Sequence, residues 1–162
     1  MHFMTIDEIL SDSMGASKSQ KRQKRGLKAL SEMDLVAKSK RYPHVPAYAM
    51  PKSRVKDSTA NQLTQAILKW LQLNGHYCSR IQSQGQYQPG KGIWTRSTVK
   101  RGIGDVMAIV SGKTIMIEVK VGQDKQSKWQ TETQKEVEQS GGLYFIAKEF
   151  DSFLEWYKTI KK

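Results

Sequence analysis

Residues 104–121 read Gly104-Asp105-Val106-Met107-Ala108-Ile109-Val110-Ser111-Gly112-Lys113-Thr114-Ile115-Met116-Ile117-Glu118-Val119-Lys120-Val121. Val106 to Val110 is an unbroken apolar run, Ser111-Gly112-Lys113 has turn chemistry, and a second strand-like run leads into Glu118. The pattern predicts a tight β-hairpin. Side chains alternate faces along a strand. Ile115, Ile117, Val119 and Val121 therefore share one face, and Met116, Glu118 and Lys120 share the other. With Ser111-Gly112 as a two-residue loop, Val110 pairs with Lys113 and Asp105 stands opposite Glu118. A three-residue loop would put Asp105 opposite Val119 instead. Directly opposed Cβ atoms lie about 4.5–5.5 Å apart, so in the first register the two carboxylates can share one divalent cation.

These residue types suit a particular chemistry. Mg²⁺ takes hard oxygen ligands, commonly one or two carboxylates, and keeps several waters. An ion so held polarises a phosphoryl oxygen and makes its water a better nucleophile. Lys120, two residues after Glu118, points to the same side, where it can orient that water or stabilise negative charge at phosphorus. The plainer reading is a surface ion pair between Glu118 and Lys120, worth about 0–1 kcal/mol.

The composition points the same way. The chain has 162 residues, which suits one domain with an extension, and a formal net charge of +12. Such a basic chain suits a polyanion, nucleic acid first and a membrane surface second. No segment approaches the ~20 apolar residues of a spanning helix. The start, Met1-His2-Phe3-Met4-Thr5-Ile6-Asp7-Glu8, lacks the pattern of a secretion signal. Cys78 is the only cysteine, so an internal disulfide is excluded and a reducing compartment is expected. With His2, His44 and His76 scattered, no zinc-ligand spacing is present. Cys78 reads as a buried small residue and His76 as a loop residue.

The chain divides near Asp57. Residues 1–56 are expected to form a basic, largely extended or mobile arm with possible short helices, one of them from Thr5 to Leu10. Lys21, Arg22, Lys24 and Arg25 stand in a basic run suited to lie along phosphates. Residues 42–51 hold three of the four prolines and read as extended linker. On this view, deleting residues 1–50 weakens DNA binding and leaves the core folded.

Residues 57–162 read as the compact domain. Ser58 and Thr59 suit a helix cap, and Leu63, Ala66, Ile67, Trp70 and Leu71 recur at helical spacing before Asn74-Gly75. A strand follows over 77–81, then a polar, glycine-rich loop over 82–101, then the hairpin. Residues 127–139 read as a polar surface helix, 143–147 as an apolar strand, and a last helix runs from about Asp151. The order is helix, three strands, helix, strand, helix. The expected fold is α/β, with a central mixed sheet flanked by helices.

That order, with Gly102-Ile103-Gly104-Asp105 before the second strand and Ile117-Glu118-Val119-Lys120 in the third, resembles the restriction-endonuclease-like PD-(D/E)XK nucleases. Within them the chain looks like the virus-type replication-repair nuclease (VRR-NUC) family, over roughly residues 58–156. Leu71-Gln72-Leu73-Asn74-Gly75, Ser127-Lys128-Trp129-Gln130, Gly141-Gly142 and Phe150-Asp151-Ser152-Phe153-Leu154 also suit the family pattern. The resemblance implies a Mg²⁺- or Mn²⁺-dependent DNA endonuclease, structure-selective for branched DNA such as four-way (Holliday) junctions. Such enzymes serve repair or recombination, often as homodimers. It implies no membrane role and a cytoplasmic setting, in a bacterial cell or a phage-infected bacterial host. Carried over, Asp105 and Glu118 bind metal with the Val119 carbonyl as a further ligand, Lys120 assists the attacking water, and Gln130 arranges the site. Ser127-X-X-Gln130 is also a capping box, which needs no catalysis.

The chain departs from the family at the opening helix. Relatives carry an acidic residue near its start. Here the stretch is Ser58-Thr59-Ala60-Asn61-Gln62, with Gln62 as a neutral substitute and Asp57 just outside. That departure motivates an alternative, a nucleic-acid-binding protein that keeps the fold with weak or no catalysis. Arg96, Lys100, Arg101, Lys125 and Lys128 flank the carboxylates in sequence and are candidate phosphate contacts. Tyr87 and Trp94 either stack on unpaired bases or, as expected for Trp94, pack on the domain.

Overall fold

The computed structural model describes residues 18–83, 85–95 and 97–161. In chain order the elements are α1 (Lys18–Arg41), a 3₁₀ turn (Ala47–Ala49), α2 (Ala60–Leu73), β1 (Tyr77–Arg80), β2 (Gln86–Gln88), β3 (Ile93–Thr95), β4 (Val106–Val110), β5 (Lys113–Val119), α3 (Lys128–Gln139), β6 (Leu143–Ala147) and α4 (Phe150–Ile160). The architecture is α/β, with a four-stranded mixed sheet ordered β1-β4-β5-β6. β1, β4 and β5 run antiparallel, and β6 joins β5 in parallel after α3. Among the described residues no helix is long and apolar enough to cross a membrane.

Ser111 (φ 50°) and Gly112 (φ 77°) both take left-handed backbone, as the two central residues of a two-residue hairpin loop require. Val110 pairs with Lys113 and Val106 with Ile117, which is the register that brings Asp105 opposite Glu118 one step further on.

The alternation then sorts the sheet. Val106, Ala108, Val110, Ile115, Ile117 and Val119 enter the core, where α2 supplies Leu63, Ile67, Trp70 and Leu71 and α4 supplies Phe150, Phe153, Leu154 and Tyr157. Glu118 and Lys120 belong to the opposite face. Thr59 caps α2 by accepting from the Gln62 amide. Asp57 serves a different helix: its Oδ2 accepts from the Phe150 amide at 3.2 Å, which fits a carboxylate at a helix N-terminus. His76 is half-buried and shares a 2.6 Å hydrogen bond with the Tyr157 hydroxyl. Cys78 is half-buried, its thiol 3.6 Å from the Leu68 carbonyl, and burial pushes its pKa up.

Three sequence expectations need correction. The extended or mobile arm does not hold for residues 18–41, which form one 24-residue helix packed on α2 and α4. Its contact strip is narrow: Gly26, Ala29, Leu30, Met33 and Asp34, at helical spacing. Leu30 is fully buried in the core. Gly26 permits the close approach, since a Cβ there would lie 2.7 Å from Leu154 Cδ1, and its amide donates to Asp151 Oδ1 at 3.2 Å. Asp34 fixes the helix electrostatically. It is buried, with Lys38 Nζ and Lys69 Nζ each at 2.8 Å and the Ser53 hydroxyl donating to it. Burial alone would raise the Asp34 pKa, but Lys38, Lys69 and Ser53 outweigh it and hold it at about 2. The short helix expected over 5–10 lies outside the described residues.

Second, the loop over 82–101 carries its own hairpin, β2–β3, with Tyr87 opposite Trp94. Third, Trp94 does not pack on the domain. It is 72% exposed, and its ring partner is Tyr87, with centroids 5.7 Å apart.

Candidate active site

Two glycines make the approach to Asp105 possible. Gly102 has φ +81°, and a Cβ there would stand 2.8 Å from the Gln130 amide nitrogen of α3. A Cβ at Gly104 would stand 2.8 Å from Met116 Cγ and 2.9 Å from the Ile117 carbonyl oxygen of β5. The Gly-X-Gly-Asp segment thus passes between α3 and β5 with room for no side chain at either glycine. The Asp105 carbonyl accepts from the Ile81 amide at 2.8 Å, continuing the β1–β4 pairing. Its carboxylate turns toward β5, where Oδ2 accepts from the Val119 amide at 2.9 Å.

Glu118 is 3% exposed and Lys120 is 8% exposed. Lys120 Nζ lies 3.3 Å from Glu118 Oε1 and 3.2 Å from Asp124 Oδ2, and the Lys120 amide donates to the Ala147 carbonyl at 2.8 Å. The pair is therefore not the solvent-exposed ion pair of the plainer reading. Glu118 Oε1 also accepts from Gln130 Nε2, while Glu118 Oε2 is buried with no hydrogen-bond partner. An unpaired buried carboxylate oxygen is costly. Burial foremost, then the neighbouring Asp105 charge, pushes the Glu118 pKa up to about 7 against the opposing pull of Lys120. Burial lowers the Lys120 pKa, but the hydrogen bonds and charges of Asp124 and Glu118 win, so the net shift is upward and the amine stays protonated.

Gln130 combines both of its sequence readings. Its Oε1 accepts from the Ser127 amide at 2.8 Å and its own amide donates to Ser127 Oγ at 3.3 Å, completing the capping box. Its Nε2 is left to reach Glu118. The box fixes the side chain that orients the carboxylate.

Asp105, Glu118, Val119, Lys120 and Gln130 are thus brought together. Gln62 lies on α2 with its Oε1 buried and without a hydrogen-bond partner, lining a groove of about 410 Å³ with Ser53, Lys56, Asn61 and Lys69. Lys100 pairs with Glu136, and the Arg101 guanidinium sits 5.1 Å over the Trp129 ring, so both lie against α3. Lys125 is exposed, and Lys128 is 3.9 Å from Glu132. Arg25 is half-buried on α1. Lys21, Arg22 and Lys24 fall in the first turns of α1. Their side chains, and the whole of Arg96, lie outside what the structure describes.

Two members of the cluster escaped the sequence reading. Asp124 follows Lys120 by four residues in a loop and holds its amine. Tyr144 pairs in register with Met116, which sets it on the Glu118 face. Its hydroxyl is buried, and burial foremost, with the Glu118 and Asp105 charges, raises its pKa. Strand alternation could have flagged Tyr144 once the β5–β6 register was known.

The donor set passes a chemical test for a hard divalent ion. It offers two close carboxylates, one with an orphaned buried oxygen, and no soft ligand. Among the described residues no group of three or more His, Cys, Asp or Glu converges. No protein-family model, curated protein or solved structure matches the chain.

Proposed function

We propose that the chain is a divalent-metal-dependent DNA endonuclease with a restriction-endonuclease-like core of the VRR-NUC type, selective for branched DNA. One observation carries the reading: Asp105, just before β4 and bonded to the Val119 amide, sets its charge beside the buried Glu118–Lys120 pair of β5, and one buried Glu118 oxygen lacks a partner. Asp105 and Glu118 would hold Mg²⁺ or Mn²⁺, with the Val119 carbonyl as a further ligand. When bound there, the ion supplies Lewis acidity toward a phosphoryl oxygen and acidifies a water.

The chain's own groups supply the rest. Lys120 is held protonated between Glu118 and Asp124. From there it positions the attacking water and offsets the charge gathering on the phosphate oxygens. Gln130 keeps Glu118 in one rotamer, and the Val119 amide keeps Asp105 in one rotamer. Such fixed donors and acceptors need little rearrangement during reaction. The +12 charge attracts the polyanionic substrate.

A supercoiled plasmid and a synthetic four-way junction, each incubated with Mg²⁺, test the proposal. The expected result is cleavage by the wild type and none by Glu118→Gln. Salt-sensitive binding without cleavage supports the alternative, a nuclease fold kept for nucleic-acid binding, which the neutral Gln62 in place of an acid favours.

A further inference from the structure

We propose that the β2–β3 hairpin is a stacking platform for an unpaired DNA base, delivering single-stranded segments to the candidate active site. The proposal rests on the reading of DNA as substrate.

Tyr87 and Trp94 stand directly opposite each other in the hairpin, with ring centroids 5.7 Å apart and planes inclined by 46°. Tyr87 is 51% exposed and Trp94 72% exposed. A two-stranded ribbon is marginal alone, and a cross-strand aromatic pair helps hold it. That structural task leaves most of the indole in solvent, where its hydration is unfavourable unless a partner covers it.

What lies beside the indole identifies the partner. A hollow of about 630 Å³ opens against Trp94, lined also by Ser83, Ser97, Lys100, Arg101 and Gly102. It brings together one exposed aromatic ring and two cations, Lys100, whose amine also pairs with Glu136, and Arg101, whose guanidinium lies over the Trp129 ring. An aromatic ring for a base face and cations for the backbone are the components of single-strand recognition. Paired bases keep their faces in the stack, so a duplex cannot use the ring without opening. The hollow is also close to the chemistry. Gly102 precedes Asp105 by three residues, a Cα path of at most roughly 11 Å. The Gly102 edge of the hollow is therefore a short stretch of chain from Asp105, and a strand stacked on Trp94 that runs along that edge leads toward the carboxylates.

The test measures binding of the full chain to a fluorescein-labelled oligo-dT strand and to a blunt duplex, by anisotropy in chelator without divalent ions. Trp94→Ala should weaken oligo-dT binding about 5- to 100-fold and change duplex binding less than about twofold. Trp94→Phe, which keeps a ring, should retain most of the affinity. The slope of affinity against salt should not change, because no phosphate contact is removed. Equal oligo-dT affinity for Trp94→Ala and wild type overturns the proposal. So does equal weakening on strand and duplex, a loss shared by the Phe and Ala variants, or no oligo-dT binding by wild type. Cleavage with Mg²⁺ is scored separately. Trp94-dependent strand binding by an inert protein keeps the platform and removes the nuclease. Cleavage that is indifferent to Trp94, with no strand preference, does the reverse.

Discussion

Gln130 donates from Nε2 to Glu118 Oε1 while its Oε1 accepts from the Ser127 amide at 2.8 Å. One side chain thus closes the first turn of α3 and orients the acid on β5. Gln130→Ala should cost about 1–2 kcal/mol of stability in a urea titration, from the lost cap and hydrogen bond, and should reduce cleavage. Gln130→Glu separates the two roles. It keeps the box but sets a carboxylate against Glu118, so helix stability should be retained while cleavage falls. Full cleavage by Gln130→Glu would show that Gln130 is a cap only.

With no cation bound, the Glu118 cluster should weaken the fold as pH rises. Glu118 is pushed up to about 7 in the folded protein against an ordinary value of 4.5. The folded state therefore binds more protons than the unfolded one between these values, and stability falls as pH climbs through that window. Glu118→Gln removes the titration. In chelator it should match wild type near pH 4.5 and exceed it at pH 8 by up to about 3 kcal/mol. Denaturant titrations across pH check this. Parallel pH profiles for the two proteins would show that Glu118 is not strained by its burial.

α1 should be part of the folding unit. Asp34→Ala leaves Lys38 and Lys69 facing a buried gap and should cost about 2–4 kcal/mol, near the lower range for breaking a buried pair because both lysines are partly exposed. Because Asp34 is held at about 2, below the ordinary carboxylate range, its contribution is present above about pH 4 and is lost as pH falls through about 2. Deleting residues 1–50 removes Leu30 and Asp34 together and should abolish cooperative unfolding by circular dichroism. A truncated chain with an unchanged midpoint would restore the segment to the role of a detachable arm.

Gly102→Ala should damage the site through the backbone. The left-handed φ alone costs about 1–3 kcal/mol, and the added Cβ meets the α3 backbone as well. Urea midpoints would show the loss. A midpoint within error of wild type would mean that the loop and α3 part easily.

The hairpin was legible because Ser111-Gly112 sits between two apolar runs, but the sequence allows a two- or a three-residue loop, and the left-handed backbone of Ser111 and Gly112 with the Val110–Lys113 pair decides the register. The polar α3 and its capping box were legible because Ser127 and Gln130 have the spacing that a cap requires. α1 was not, because its buried strip is only four residues, Gly26, Ala29, Leu30 and Asp34, in a lysine-rich stretch and begins with Gly26, whose worth lies in what it omits. Trp94 was misjudged because an isolated tryptophan in a polar loop carries no pattern to say which way it faces. Tyr144 and Asp124 join the site through the β5–β6 pairing and a loop return, which local sequence does not encode.

The shared cation is tested most directly by titrating Mn²⁺ into wild type, Asp105→Asn and Glu118→Gln while following free Mn²⁺ by electron paramagnetic resonance. Saturable binding by wild type, weakened roughly tenfold or more in each variant, is the expected result. Identical Mn²⁺ binding by all three proteins would contradict a metal site built on Asp105 and Glu118.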